Sequence, residues 1–289
     1  MIDERMVHPM NESTGSRLER SCGAAARDWI RIAPSSPGLE RIEARFSGHG
    51  FDPHRHDTYA IGFTLEGVQA FRYRGAAERS NAGEVFVLHP DEVHDGHAGT
   101  SSGFRYRILY VEPRLIREAL GGARPLPFVR DAVSRNARLM RAITPALDDL
   151  AAPLEDLQRE DIISDLAQAL AASDASLEPL GRGKPCWRGV NAARELIDNT
   201  DGAVASAQLE AATGLSRYAL ARHFRACLGT SPHRYLVMRR LDRARLLIRR
   251  GIPLADAALA CGFADQSHMT RQFKKTYGLS PGRFAALAA

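Results

Sequence analysis

Ser206-Ala-Gln-Leu-Glu-Ala-Ala-Thr-Gly-Leu-Ser216 and Leu254-Ala-Asp-Ala-Ala-Leu-Ala-Cys-Gly-Phe263 are two short helical patterns, each closed by a glycine suited to a left-handed turn. Each leads into a longer helix. After Gly214, Ser216 can cap a helix on which Leu220, Phe224 and Leu228 recur every four residues. After Gly262, the run Asp265-Gln-Ser-His-Met-Thr-Arg-Gln-Phe-Lys-Lys-Thr-Tyr277 repeats that spacing with Met269 and Phe273. Helix, glycine turn and capped helix make a helix-turn-helix, and here the unit occurs twice. Between the copies, about Pro232 to Arg250 reads as one long helix. Tyr235, Leu236, Leu241, Ala244, Leu247 and Ile248 form its buried stripe, and Arg239, Arg240, Arg243, Arg245, Arg249 and Arg250 make it cationic. A helix of about 19 residues spans about 28 Å, enough to hold two reading helices roughly one DNA turn apart. A further helix, about Val190 to Asn199, precedes them.

The charge distribution fits a polyanion partner. Residues 182–289 hold 18 Lys and Arg against 7 Asp and Glu, a net +11, whereas the remainder holds 21 against 27, a net −6. Cations that neutralise phosphates release condensed counterions, so such an excess suits double-stranded DNA. The chain of 289 residues is 44% hydrophobic and 25% charged, a composition that excludes disorder, a collagenous repeat and a small stapled scaffold. Cys22, Cys186, Cys227 and Cys261 lie far apart without a CxxC pair, which argues against a disulfide framework or a cysteine zinc site. Met1 to Ser21 lacks an apolar core and no apolar run reaches membrane-spanning length, so a cytoplasmic protein without a membrane partner is expected.

Upstream, the pattern changes. From about Glu40 to Val111 short apolar runs are broken by Gly, Asn and Pro: Tyr59 to Leu65, Gln69 to Tyr73, Glu84 to Leu88 and Phe104 to Val111. Short strands at such spacing suggest a β-sandwich or barrel. From about Pro113 to Ala172, Leu139, Ile143, Leu147 and Leu150, then Ile162, Leu166 and Leu170, form helical stripes. They bury either within the chain or against a second copy in a homodimer. The run Ser173 to Pro185, rich in Pro, Gly, Ser and charge, marks a linker.

The C-terminal part closely resembles the DNA-binding domain of AraC/XylS-type transcription regulators. The resemblance rests on Gly214-Leu-Ser216 with Leu220, Arg222 and Phe224, and on Gly229-Thr-Ser-Pro232 and Arg240-Leu-Asp-Arg-Ala244. Leu259-Ala-Cys-Gly-Phe263, Ser267-His-Met with Phe273-Lys274, and Gly278-Leu-Ser-Pro281 complete it. It implies two recognition helices in the major groove. By motif position the base readers are Tyr218, Ala221 and Arg222 in the first helix and Gln266, Ser267, His268 and Thr270 in the second. Arg suits guanine O6/N7, Gln suits adenine N6/N7, and Ala221 offers a thymine methyl only an apolar contact. Arg217, Arg225, Arg271, Lys274 and Lys275 are expected on phosphates. Glu210 departs from the pattern, which usually has a small apolar residue there; the second copy has Ala258.

The N-terminal part resembles a cupin barrel. Gly48 followed by His54-x-His56 matches its first motif, and Gly83, Pro90 and His94 approximate the second. The acidic ligand of a cupin metal site falls on Ala60 or Ile61, and Glu92 replaces a glycine. Two readings follow. In one, the barrel is the small-molecule effector domain of an AraC-type regulator, without metal or other cofactor, its pocket lined from His54, His56, Tyr59, Phe71, Tyr73 and His94. In the other, a cupin metalloprotein or enzyme is fused to the reader and His54, His56 and His94 hold a metal. The first is preferred. No catalytic triad, phosphate loop or paired carboxylate site is recognisable, and Cys22 stands without the cysteine neighbours that methyl-transfer repair chemistry needs.

The expected architecture is therefore multidomain α+β: an N-terminal cupin-like β-barrel with a helical segment, then an all-α double helix-turn-helix domain. Its parts are an extension (1–39), the effector domain with a helical segment that is a candidate dimer seam (40–172), a linker (173–186) and the reader (187–289).

Overall fold

The computed structural model describes residues 28–34, 36–122, 125–175, 186–200 and 204–288. Cys22, most of the 1–39 stretch and most of the expected linker lie outside these residues. The N-terminal half holds strands β1 (Trp29–Ile32), β2 (Leu39–Phe46), β3 (His49–His54), β4 (Tyr59–Tyr73), β5 (Ala76–Asn81), β6 (Val85–Leu88), β7 (His94–Ala98), β8 (Phe104–Val111) and β9 (Val133–Ser134). Helices α1 (Pro113–Ala119), α2 (Ala137–Leu147) and α3 (Asp156–Ala172) accompany them. The runs Tyr59 to Leu65 and Gln69 to Tyr73 are one strand of 15 residues. Its first half pairs with β6 and β8 and its second half with β5 and β7. A register shift between Thr64 and Glu66 bends it where the partners change. Gly67 has φ +69° beside this bend, and a Cβ there would lie 2.0 Å from the Gly103 carbonyl oxygen, so only glycine fits.

The expected barrel does not form. The path β1-β2-β8-β4-β6-β9 is an open sheet, with β3, β7 and β5 attached through β4. Strand β1 pairs with β2 and β9 with β6, and no ladder joins the two edges. The reason is what occupies the opening. Leu279 from the C-terminal half belongs to the same apolar cluster as Ile42, Phe46, Phe86 and Ile108 on the inner face of the sheet. Side chains of the reader domain cover what another strand would otherwise close.

The outer face packs on the helices. Tyr59, Ile61, Leu109 and Val111 share a core with Leu139, Ile143, Ile162, Leu166 and Leu170. The helical stripes are thus buried within the chain. Arg41 of β2 stands in this layer, 1% exposed, and donates to the carbonyls of Ala146, Asp149 and Ala152 at 3.3, 3.1 and 2.8 Å. Arg107 of β8 donates to the carbonyls of Leu147 and Asp148 at 2.6 and 3.0 Å. Two guanidiniums thus satisfy carbonyls at the C-terminus of α2 and in the segment that follows it, where the helix dipole favours positive charge.

The C-terminal half consists of α4 (Trp187–Asp198), α5 (Ser206–Thr213), α6 (Arg217–Leu228), α7 (Pro232–Arg249), α8 (Leu254–Ala260), α9 (Gln266–Tyr277) and α10 (Pro281–Leu287). One core gathers Val190, Ala193, Ile197, Leu220, Phe224 and Tyr235; another gathers Leu241, Ala244, Ala258, Met269, Phe273 and Phe284. Helix α7 runs through both, so its rigidity fixes one helix-turn-helix against the other. Local signals set the boundaries: Ser216 and Asp265 accept from the N–H of Ala219 and His268, and Gly214, Gly229 and Gly278 end helices in the left-handed region.

Replacing Arg41 by methionine keeps the aliphatic stem and leaves three carbonyls without that donor. Urea denaturation is expected to show a loss of about 2–3 kcal/mol. An unchanged midpoint would refute the role given to this side chain.

Candidate effector cavity and nucleic-acid interface

Helices α6 and α9 present their first turns to solvent. Arg217, Tyr218, Arg222 and Arg225 are exposed on α6, Tyr218 by 67%, with Ala221 half-buried between them. The Arg217 guanidinium lies 5.0 Å from the Tyr218 ring centre, and the two residues form one cationic and aromatic edge. Glu210 has a role beyond packing: its carboxylate accepts the Arg217 N–H at 2.7 Å, which ties the first helix of the unit to the start of the second. On α9, Gln266, Ser267, Arg271, Lys274 and Lys275 are exposed, while His268 and Thr270 are half-buried. The His268 ring meets Phe263 edge-on at 5.5 Å and is anchored toward the core. Lys274, near the C-terminal end of α9, is exposed and its ammonium lies 2.7 Å from Asp52 of β3.

Behind this surface a cavity of about 210 Å³ lies between the open sheet and the reader. Ile42 (β2), Phe86 (β6), Tyr106 and Ile108 (β8) supply apolar wall, and Met238 and Thr276 face it from α7 and α9. His54, His56 and His94 line it together, with ring centres 4.2 Å (His54 to His94), 4.9 Å (His56 to His94) and 6.2 Å (His54 to His56) apart. Tyr59, Phe71 and Tyr73 do not line it. The Tyr59 hydroxyl donates to the Pro127 carbonyl at 2.8 Å within the helical layer, and the Tyr73 hydroxyl accepts the His89 N–H at 3.0 Å.

Burial sets the protonation of the cluster. It holds the His54 and His56 imidazoles well below the ordinary histidine range, with neighbouring imidazoles adding to the effect, and pushes His94 down to about 4. Each Nδ1–H donates to a backbone carbonyl: His54 to Asp52 at 2.8 Å, His56 to Thr58 at 3.0 Å and His94 to Glu92 at 3.0 Å. A carbonyl only accepts, so the neutral rings carry their proton on Nδ1 and keep Nε2 as acceptor. Among the described residues no group of three or more His, Cys, Asp or Glu is arranged to hold a metal ion.

Charged residues join the two halves beside the cavity. Arg239 of α7 lies 2.9 Å from Asp57, 3.6 Å from Glu112 and 3.3 Å from Asp242. Arg245, one turn and a half further along, lies 2.7 Å from Glu40. Burial pushes the Asp57 carboxyl up to about 6 against the pull of Arg239, and Asp242 and Glu112 push the same way. Backbone joins as well. The N–H of Asp52 donates to the Gly278 carbonyl at 3.0 Å and that of Arg55 to the Lys275 carbonyl at 3.1 Å, so strand β3 and the residue after it cap the C-terminal end of α9.

Several wall residues escape a reading by sequence. Tyr106, Ile108 and Tyr110 do carry a signal, because they alternate along β8, but Arg239, Asp242, Arg245 and Tyr277 belong to the other domain and no local pattern assigns them to a cavity.

Comparison with known proteins agrees with this architecture. Residues 36–167 match the model of the AraC-like ligand binding domain, and residues 209–286 match a helix-turn-helix domain. The chain is 28% identical over 249 residues to the uncharacterized HTH-type transcriptional regulator YbfI of Bacillus subtilis, covering 83% of this chain and 89% of that one. It is 28% identical over 265 residues to the HTH-type transcriptional activator RhaS of Yersinia pestis, covering 87% and 95%. Among solved structures, ToxT of Vibrio cholerae shares the fold with a TM-score of 0.62 at 12% identity, over 87% of this chain and 99% of that one. A sensing domain of the AraC-like type, followed by paired helix-turn-helix units on one rod, makes this chain a member of the AraC/XylS family of DNA-binding transcription regulators.

Proposed function

We propose that the cavity between the open sheet and helices α7 and α9 is the effector site, and that the exposed first turns of α6 and α9 read promoter DNA. One observation carries the coupling of the two: the cavity wall is shared between sensor strands and the helix on which both readers are mounted. Arg222 and Gln266 are the candidates for bidentate base contacts, with Tyr218, Ala221, Ser267, His268 and Thr270 completing the readout. Arg217, Arg225 and Arg271 hold phosphates and set register. Lys274 is divided between two anions, Asp52 of the sensor and a DNA phosphate. An effector that alters β3 therefore alters the competition for it. For this to regulate, the effector must favour one arrangement of β3 against α9 over the other. We assign the sensor to 40–172 and the reader to 187–289. The protein acts in the cytoplasm, where its target lies. A second copy is not needed to bury the stripes of α2 and α3, which are already covered within the chain.

Selection of bound duplexes from a random pool by the full chain is expected to return one site with two half-sites about a helical turn apart; recovery of no preferred sequence would end this reading. On the selected site, Arg222→Ala is expected to cost about 1–3 kcal/mol and relax preference at one base pair, whereas Arg271→Ala weakens all sequences alike and lowers the salt slope by about 1. Equal effects of the two substitutions across sequences would contradict the division of roles.

The histidine cluster gives a pH dependence with a definite sign. A folded pKa near 4 for His94, below its ordinary 6.5, means stability that is complete above pH 6.5 and lost as pH falls toward 4. The loss for this one group is on the order of 3 kcal/mol. Thermal unfolding of His94→Gln is expected to fall less steeply than the parent between pH 6.5 and 4; parallel curves would contradict it.

A further inference from the structure

The chemistry of the cavity wall, granted that the cavity is the effector site, selects the class of effector. Five lining residues are carboxylates, Glu40, Asp57, Asp95, Glu112 and Asp242, against two guanidiniums, Arg239 and Arg245. Both guanidiniums are already engaged: Arg239 with Asp57, Glu112 and Asp242, and Arg245 with Glu40. The carboxylates are engaged too, since Glu112 also lies 2.6 Å from Arg114, Asp242 accepts the Tyr277 hydroxyl at 2.8 Å and Asp95 accepts the Arg72 N–H at 2.7 Å, yet five of them share two lining guanidiniums. With the imidazoles neutral, the wall keeps an excess of negative charge.

Independently, the wall presents acceptors that lack donors. His56 is only 6% exposed, its Nδ1 edge is turned to Thr58, and its Nε2 has no hydrogen-bond partner. That nitrogen stands on the edge of the ring opposite Thr58, in the cluster that lines the cavity. The Oε1 of Gln69, also a lining residue and 7% exposed, lacks a partner as well. Buried acceptors without donors are costly, and a ligand that brings N–H groups removes the cost. The remaining wall is apolar and aromatic, and includes Phe51, Tyr106 and Tyr110.

We propose that the effector is an organic amine carried as a monocation: a compact apolar body against Ile42, Phe86 and Ile108, and an ammonium head that donates to His56 Nε2 in a cavity whose lining carboxylates outnumber its guanidiniums. An anionic ligand has no free guanidinium to meet here. A neutral polyol satisfies the acceptors but leaves the charge uncompensated.

The test is isothermal titration of the full chain with three probes that share one body: 3-phenylpropylamine, 3-phenylpropanol and 3-phenylpropionate. The amine is expected to bind at least ten-fold more tightly than either of the others. In His56→Phe that advantage is expected to fall by ten-fold or more, while His56→Gln, which keeps an acceptor, restores part of it; unfolding midpoints of both variants verify that they fold. Tighter or equal binding of the alcohol or the propionate overturns the amine assignment and leaves the cavity as the effector site. Binding of the amine unchanged in His56→Phe, or no binding of any probe, overturns the cavity reading and the amine assignment with it.

Discussion

Arg239 is 19% exposed at its side chain and is held by Asp57, which follows strand β3, by Glu112, which precedes α1, and by Asp242 on its own helix. A guanidinium removed from water to this degree is stable only while its carboxylates stay in place, because an unpaired buried charge is far more costly than the pair. A shift of α7 that parted Arg239 from Asp57 and Glu112 without admitting water would leave it only Asp242. The ion cluster thus favours one placement of α7 against the sheet.

From that placement the other features follow. The open sheet keeps its mouth toward the reader, where Leu279 completes the inner apolar cluster, and so the cavity acquires walls from both domains. Because α7 passes through both helix-turn-helix cores, a shift of its N-terminal or central turns against the sheet moves two reading helices together. The carbonyls at the end of α9 are satisfied by N–H groups of Asp52 and Arg55, so the same strand that carries His54 into the cavity also terminates a reading helix. Under the proposed function, the path from effector to DNA is a few residues long.

The paired helix-turn-helix pattern was legible because its signals are local. Caps at Ser216 and Asp265, left-handed glycines and four-residue apolar spacing act within one or two turns. Strand β8 was legible for the same reason, through its alternation and flanking Gly103 and Pro113. Closure of the sheet was not legible, since it depends on what covers its inner face, and Leu279, which does so, lies far along the chain. The histidine pair His54 and His56 and the more distant His94 do share the cavity, but the aromatic residues read with them do not. Tyr59 lies on the outward parity of β4 and meets the helices. Gln69, past the bend at Thr64, lies on the inward one, and a reading that treats the two halves of β4 as separate strands cannot track that change.

Arg239 is the link that holds the chain just after strand β3 against α7, beside the end of α9. Hydrogen exchange of individual backbone amides in the full chain, compared with Arg239→Met, examines this directly. Exchange at Asp52 and Arg55, whose N–H groups bond to carbonyls of the reader, is predicted to rise at least ten-fold while Ile108 in the centre of the sheet stays unchanged. Equal protection of Asp52 and Arg55 in both proteins would contradict it, and would mean that the two halves are held by something other than this charge cluster.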